Sequence, residues 1–195
     1  MISEQEFAEL KTELSVKAKN GLDFIAAATV VWAAIAIVWT LPYSAAQKGF
    51  ITFFVGTATL PLAWLLSKAL RTTWSLPHNP LQPLGLWLNF AQLFYFPFLI
   101  FMFSRYPQHF IMTYGIITGA HFFPYAWFYN ARPYAVMAGV IPVGSLVLGL
   151  RTPAESLYLI PVFVTGSLLV LGGLLFFSYR QNSKAYRPAQ ALQLQ

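Results

Sequence analysis

The chain has 195 residues, 57% of them hydrophobic and 9% charged, with a net charge of +6; a soluble domain usually carries about a quarter charged residues, so that class is excluded. Cysteine is absent, which removes disulfides, thiolate metal sites, thioether haem attachment and cysteine nucleophiles. The basic residues lie at the ends of apolar runs, where they read as topology signals and lipid-headgroup contacts rather than as a nucleic-acid surface.

Residues 1–22 are expected to form an amphipathic helix. Ser3 and Glu6 are spaced as a capping box, and Ile2 and Phe7 as its hydrophobic staple. Glu4, Glu6 and Glu9 sit at the positive end of the helix dipole, Lys17 and Lys19 at the negative end. Phe7, Leu10, Leu14 and Ala18 share a face, and Gly21 supplies a stop. The acidic first half argues against tight binding to anionic lipid, so docking on the protein's own loops is the preferred reading. The segment is too acidic for a signal peptide.

Residues 23–180 read as a transmembrane domain. A helix needs about 20 residues to cross the hydrocarbon core, and six segments qualify: 24–43, 49–70, 85–104, 110–130, 133–150 and 154–178. The fold class is therefore all-α, a bundle of six membrane helices with the amphipathic helix in front. Six spans place both termini on one side, with nine Lys and Arg residues there (Arg187 included) against Lys48, Arg105 and Arg151 on the other. That bias makes both termini cytoplasmic. Residues 181–195 read as a basic, polar, flexible tail.

Between the second and third spans, Pro77, Pro80 and Pro83 recur at every third residue. The pattern suits an extended polyproline-like linker, or a docking strip for a partner. Glu155 is the one acid after Asp23. In Thr152-Pro153-Ala154-Glu155 it reads as a second capping box at the outer start of the sixth helix. The middle of every span then lacks a carboxylate. This disfavours acid-based proton relays, glycosidase pairs and two-metal chemistry.

The chemistry-bearing candidates lie in the third and fourth spans. His121 is an ionisable side chain at mid-depth, a functional hypothesis by default. Tyr114, Thr118, His121, Tyr125 and Tyr129 recur on one helical face. Pro124 frees the Ala120 carbonyl beside His121 and should kink the helix. Asn89, Gln92 and Tyr95 face this stripe from the third span. A ligand site built from His121, Tyr125, Thr118, Tyr114, Asn89, Gln92 and Tyr95 suits a neutral, zwitterionic, cationic or aromatic small molecule, or a lipid. The competing reading is interhelical hydrogen bonding, with Gly115 and Gly119 allowing close packing. His78, His109 and His121 fall at three depths, so neither a metal nor a bis-His haem is expected, and no cofactor is implied. An intramembrane Ser145–His121 pair is the remaining catalytic reading, without a nucleophile elbow to support it. Pro61 and Pro142 fall in corresponding segments of a three-plus-three inverted repeat, a faint transporter signal.

Leu93-Phe94-Tyr95-Phe96-Pro97 and Gly119-Ala120-His121-Phe122-Phe123-Pro124-Tyr125-Ala126-Trp127 are the most distinctive runs. Through them the stretch 79–149 resembles an uncharacterised bacterial family of small multi-pass membrane proteins, classed as a domain of unknown function. The resemblance implies a bacterial inner-membrane setting and no activity. Three functional readings stay open: a small-molecule transporter or binder around His121, a non-enzymatic membrane partner or assembly subunit, and an intramembrane hydrolase. Membrane lipids are the expected partners, and a thin six-helix bundle is compatible with a homodimer.

Overall fold

A computed structural model describes residues 3–186 of the chain. Ile2 of the expected staple, Arg187 of the charge count and the tail beyond residue 186 lie outside these. Helices are the only regular secondary structure among the described residues, which contain no strands. The first helix, α1, spans Glu4–Lys17, and its capping box forms: Ser3 Oγ accepts from the Glu6 amide, and the Glu6 carboxylate accepts from the Ser3 amide at 2.7 Å. Lys19, Asn20 and Gly21 then adopt positive φ in succession. This left-handed turn aims the chain into α2 (Leu22–Thr40).

The remaining helices are α3 (Ala45–Thr57), α4 (Thr59–Leu70), α5 (Gln82–Leu93), α6 (Phe96–Arg105), α7 (Phe110–Ala120), α8 (Phe123–Phe128), α9 (Pro133–Arg151) and α10 (Leu159–Ala185). Ser44 and Gln47 form a capping box on α3 that the sequence reading missed. The box expected at Thr152 does not form: Ala154–Ser156 is a 3₁₀ turn without a side-chain cap, and α10 begins only at Leu159. Glu155 is nevertheless exposed. The last helix also runs on to Ala185, past the expected start of the tail.

Proline explains three breaks. Pro61, Pro97 and Pro124 are the third, second and second residues of α4, α6 and α8. The first turn of a helix has no intrahelical acceptor for its amides, so a residue lacking N–H is tolerated there. Pro142 instead remains inside an unbroken α9.

Five segments are helical, long and apolar enough to cross a membrane: Lys19–Thr40, Ala45–Leu70, Gln82–Arg105, Pro133–Arg151 and Ala154–Lys184. The expected fourth span differs. It is divided into α7 and α8 by a turn at His121 and Phe122. The two ends of this broken segment meet different parts of the fold. Phe110 packs on Phe53 and Phe103, whereas Tyr129 lies against Gly21.

The core is built on α10 and α2, which run antiparallel. Ile160, Val164, Leu168, Leu171 and Leu175 form a fully buried stripe at helical spacing. Facing it are Ile25, Trp32, Ile35 and Trp39 of α2. The other close pair is α7 with α9. There a Cβ on Gly115 would lie 2.6 Å from Ser145 Oγ, and one on Gly119 2.5 Å from Pro142 Cδ. The expected small-residue face is thus spent inside the fold. By contrast, α5 buries none of its residues and α6 buries only Leu99.

The proline-rich loop is not extended. Two successive turns close through the Asn79 amide to Leu76 O and the Gln82 amide to Asn79 O. The loop receives α1: Asn79 Nδ2 donates to Leu10 O and to Glu13 Oε2, both at 2.9 Å, and Glu13 Oε1 lies 2.8 Å from His78 Nε2. Phe7 and Lys11 close on Trp127. Burial raises the Glu13 pKa, but the bonds from His78 and Asn79 lower it and prevail, leaving it below the ordinary 4.5. A lowered carboxylate stabilises the docked state above 4.5 and ceases to do so as pH falls through the lowered value. Hydrogen exchange of amides 4–17 is therefore expected to accelerate, relative to intrinsic rates, as the solution is acidified below 4.5. Glu13→Gln should exchange faster at neutral pH and lose that dependence.

Candidate functional site

The break between α7 and α8 creates the site. His121 caps α7, and the Phe122 amide donates to Gly119 O at 3.0 Å. The His121 ring is half-buried, with Nδ1 3.0 Å from the Thr118 carbonyl. A carbonyl only accepts, so Nδ1 carries the proton. In the neutral ring, Nε2 is then an acceptor, and no protein group bonds it among the described residues. The ring lies 4.8 Å from that of Phe122 and 5.5 Å, edge to face, from that of Tyr125.

Tyr125 opens a cluster of aromatic rings. It stacks on Tyr129 at 6.0 Å and tilts against Tyr134 at 5.7 Å. Its hydroxyl is buried and has no hydrogen-bond partner among the described residues. Such a group costs free energy unless something pairs with it. Thr118, whose carbonyl holds the His121 ring, is itself buried on α7. Tyr114 points elsewhere, against the Trp32 ring at 5.0 Å, with its hydroxyl beside Gly56.

The three candidates from the third span do not join this group through any hydrogen bond. Asn89 is exposed and its Nδ2 donates to Gly85 O of its own helix. Gln92 is half-buried, and Tyr95 is 53% exposed in the turn before α6. Of the seven candidates, His121, Tyr125 and Thr118 remain joined by contacts at the break. The Ser145–His121 pair is not made: Ser145 Oγ is buried against Gly115 without a partner among the described residues, and His121 Nδ1 is committed to Thr118. No cluster of three metal-ligating side chains occurs among the described residues.

Sequence reasoning missed a polar node at the α1–α2 turn. Ser15 Oγ donates to Asn20 Oδ1 at 2.6 Å, Asn182 Nδ2 to Ser15 Oγ at 2.7 Å, Asn20 Nδ2 to Leu175 O at 3.2 Å and Tyr134 OH to Asn20 O at 2.7 Å. One turn on, Asp23 is buried and receives the Trp74 indole N–H at 2.6 Å and the Thr72 hydroxyl. Asp23, at the edge of an apolar run, was the available signal. Its acceptors needed donors, and Thr72 and Trp74 stand at the end of the next helical hairpin.

The fold and site define a class: an all-helical protein whose helices are apolar enough for a membrane, with a broken helix at an aromatic, histidine-bearing centre. The chain belongs to a family of unknown function (DUF7010), whose model matches residues 7–178. No curated protein and no solved structure matches it.

Proposed function

We propose that this is a six-span membrane protein, with both termini cytoplasmic in a bacterial inner membrane, that binds or transports a small molecule at the α7–α8 break. The carrying observation is that two adjoining rings there, 5.5 Å apart edge to face, each carry a group without a partner among the described residues. Among the described residues, His121 Nε2 is an acceptor without a partner and the buried Tyr125 hydroxyl a donor without one. The ligand class is a neutral, zwitterionic or aromatic molecule, or a lipid, able to give and take one hydrogen bond against ring faces. Six crossings are favoured by the path of the broken segment, since its ends meet opposite ends of α2 and its neighbours.

Native mass spectrometry of the purified protein tests this. The wild type should retain a small molecule or lipid that His121→Ala releases and Tyr125→Phe holds more weakly. Identical spectra for all three would sink the reading.

The same unburied α5–α6 surface favours a second reading, an assembly subunit. A polar Asn89 facing outward from a spanning helix is costly in lipid and gains from a partner helix. The chain has no cysteine, so Asn89→Cys gives a clean probe. Disulfide cross-linking at that position in membranes would favour the second reading over the first.

A further inference from the structure

A second site lies at the end of the bundle where α9 begins and α10 ends. A groove of about 410 Å³ runs there, bordered by Asn130, Arg132, Leu174, Phe177, Ser178 and Gln181. It is divided by chemistry. Leu174, Phe177, Ser178 and Gln181 recur at one, four, five and eight along a single α10 face, apolar toward the bundle middle and polar toward its end. On α9, Arg132, Val136, Gly139 and Val143 form a second strip at helical spacing. Val136 and Val143 are exposed, and a Cβ on Gly139 would meet nothing within 4 Å. An open apolar track thus leads from a polar rim.

The rim is electropositive. Arg132 is exposed immediately before the 19-residue α9, whose first-turn amides are already bonded to Ala131 O and Arg132 O, so the guanidinium is the group that attracts an anion. No acid balances it. His78–Glu13 is the sole ion pair among the described residues, and Asp23 is committed to Thr72 and Trp74. Asn130, Ser178 and Gln181 add neutral donors around the guanidinium.

We infer that this groove binds the phosphodiester headgroup of an anionic phospholipid, with Arg132 on the phosphate and an acyl chain along Val136, Leu174 and Phe177. The inference rests on the membrane reading but not on the His121 site. A free phosphate would leave the apolar track unused, and a zwitterionic lipid would set its own cation against Arg132.

The test uses the full-length protein, delipidated in neutral detergent and titrated with phosphatidylglycerol, phosphatidylcholine or inorganic phosphate, with bound species counted by native mass spectrometry. One phosphatidylglycerol should bind ahead of the rest. Arg132→Gln should weaken it about tenfold, the scale of one charge-assisted bond. Arg132→Lys should retain most of it, and Phe177→Ala should weaken it without removing the headgroup preference. Arg180→Gln, a nearby cation that instead stacks on Phe176, should leave it unchanged. Equal losses in the Arg132 and Arg180 variants would overturn the assignment, as would equal binding of phosphatidylcholine. Saturable binding of inorganic phosphate alone would overturn the lipid as occupant.

Discussion

Asp23→Ala is expected to cost about 3 kcal/mol of stability, read as a fall in the thermal unfolding midpoint in detergent. The carboxylate is 1% exposed. Its Oδ2 receives the Thr72 hydroxyl and the Trp74 indole N–H, and its Oδ1 receives the Phe24 amide at 2.9 Å. Phe24 in turn stacks on the Trp74 ring at 4.9 Å. One side chain therefore ties the start of α2 to the segment following α4. It also sits in the first turn of α2, where a negative charge opposes the helix dipole favourably. Alanine leaves the donors unpaired at a half-buried junction, and an orphaned donor costs more than the bond contributed. Asp23→Asn should recover only part, because its amide nitrogen turns a donor toward donors. Trp74→Phe on the Asp23→Ala background should add little, since the shared bond is already lost. An Asn variant as stable as the wild type would show that this pin is not what holds the junction.

Helix content, the capped first helix and the apolar spans were legible because each follows from local spacing. Ser3 and Glu6 are three residues apart, and the span lengths match a fixed hydrocarbon thickness. The helix breaks were harder. Pro61, Pro97, Pro124, Pro142 and Pro161 look alike in the sequence, yet four lie in the first turn of a helix and Pro142 stays inside one. What separates them is the neighbouring helix, which either supplies packing across the gap or does not, and that is tertiary information. The candidate site shows the same limit. His121, Thr118 and Tyr125 were grouped by helical periodicity, and His121 does touch both of the others, through the Thr118 carbonyl and the Tyr125 ring. Asn89 and Tyr95 were joined to them by the assumption that polar residues of adjacent spans converge. The loosely packed α5 does not meet that assumption, and the Asn89 amide is satisfied by Gly85 on its own helix instead. The Asn20 node was invisible for a different reason. It draws on residues 15, 20, 134, 175 and 182, and no local pattern spans such separations.

The packing of α7 on α9 makes Gly119→Ala the other large expected effect, a loss of about 2–3 kcal/mol. An added Cβ would stand 2.5 Å from Pro142 Cδ and 2.7 Å from Ile141 Cβ. Neither can turn aside: the first is fixed in a ring and the second is bonded directly to backbone. The helices must separate, and the buried Ile141 and Thr118 lose contacts that a membrane interface draws mainly from close packing. Gly115→Ala should cost less. Its nearest obstacle is Ser145 Oγ at 2.6 Å, a hydroxyl that can rotate to another staggered position. Gly139→Ala, on the open face of α9, should be neutral or stabilise by up to about 1 kcal/mol through helix propensity. The order of unfolding midpoints, Gly139→Ala above wild type above Gly115→Ala above Gly119→Ala, is the check, and a Gly119 variant level with the wild type would contradict it. Because Gly119 accepts the Phe122 amide that turns the chain at His121, the same variant should also loosen any ligand held at the break. A stability loss with ligand retention unchanged would separate the packing of these two helices from the function proposed for the residues just beyond them.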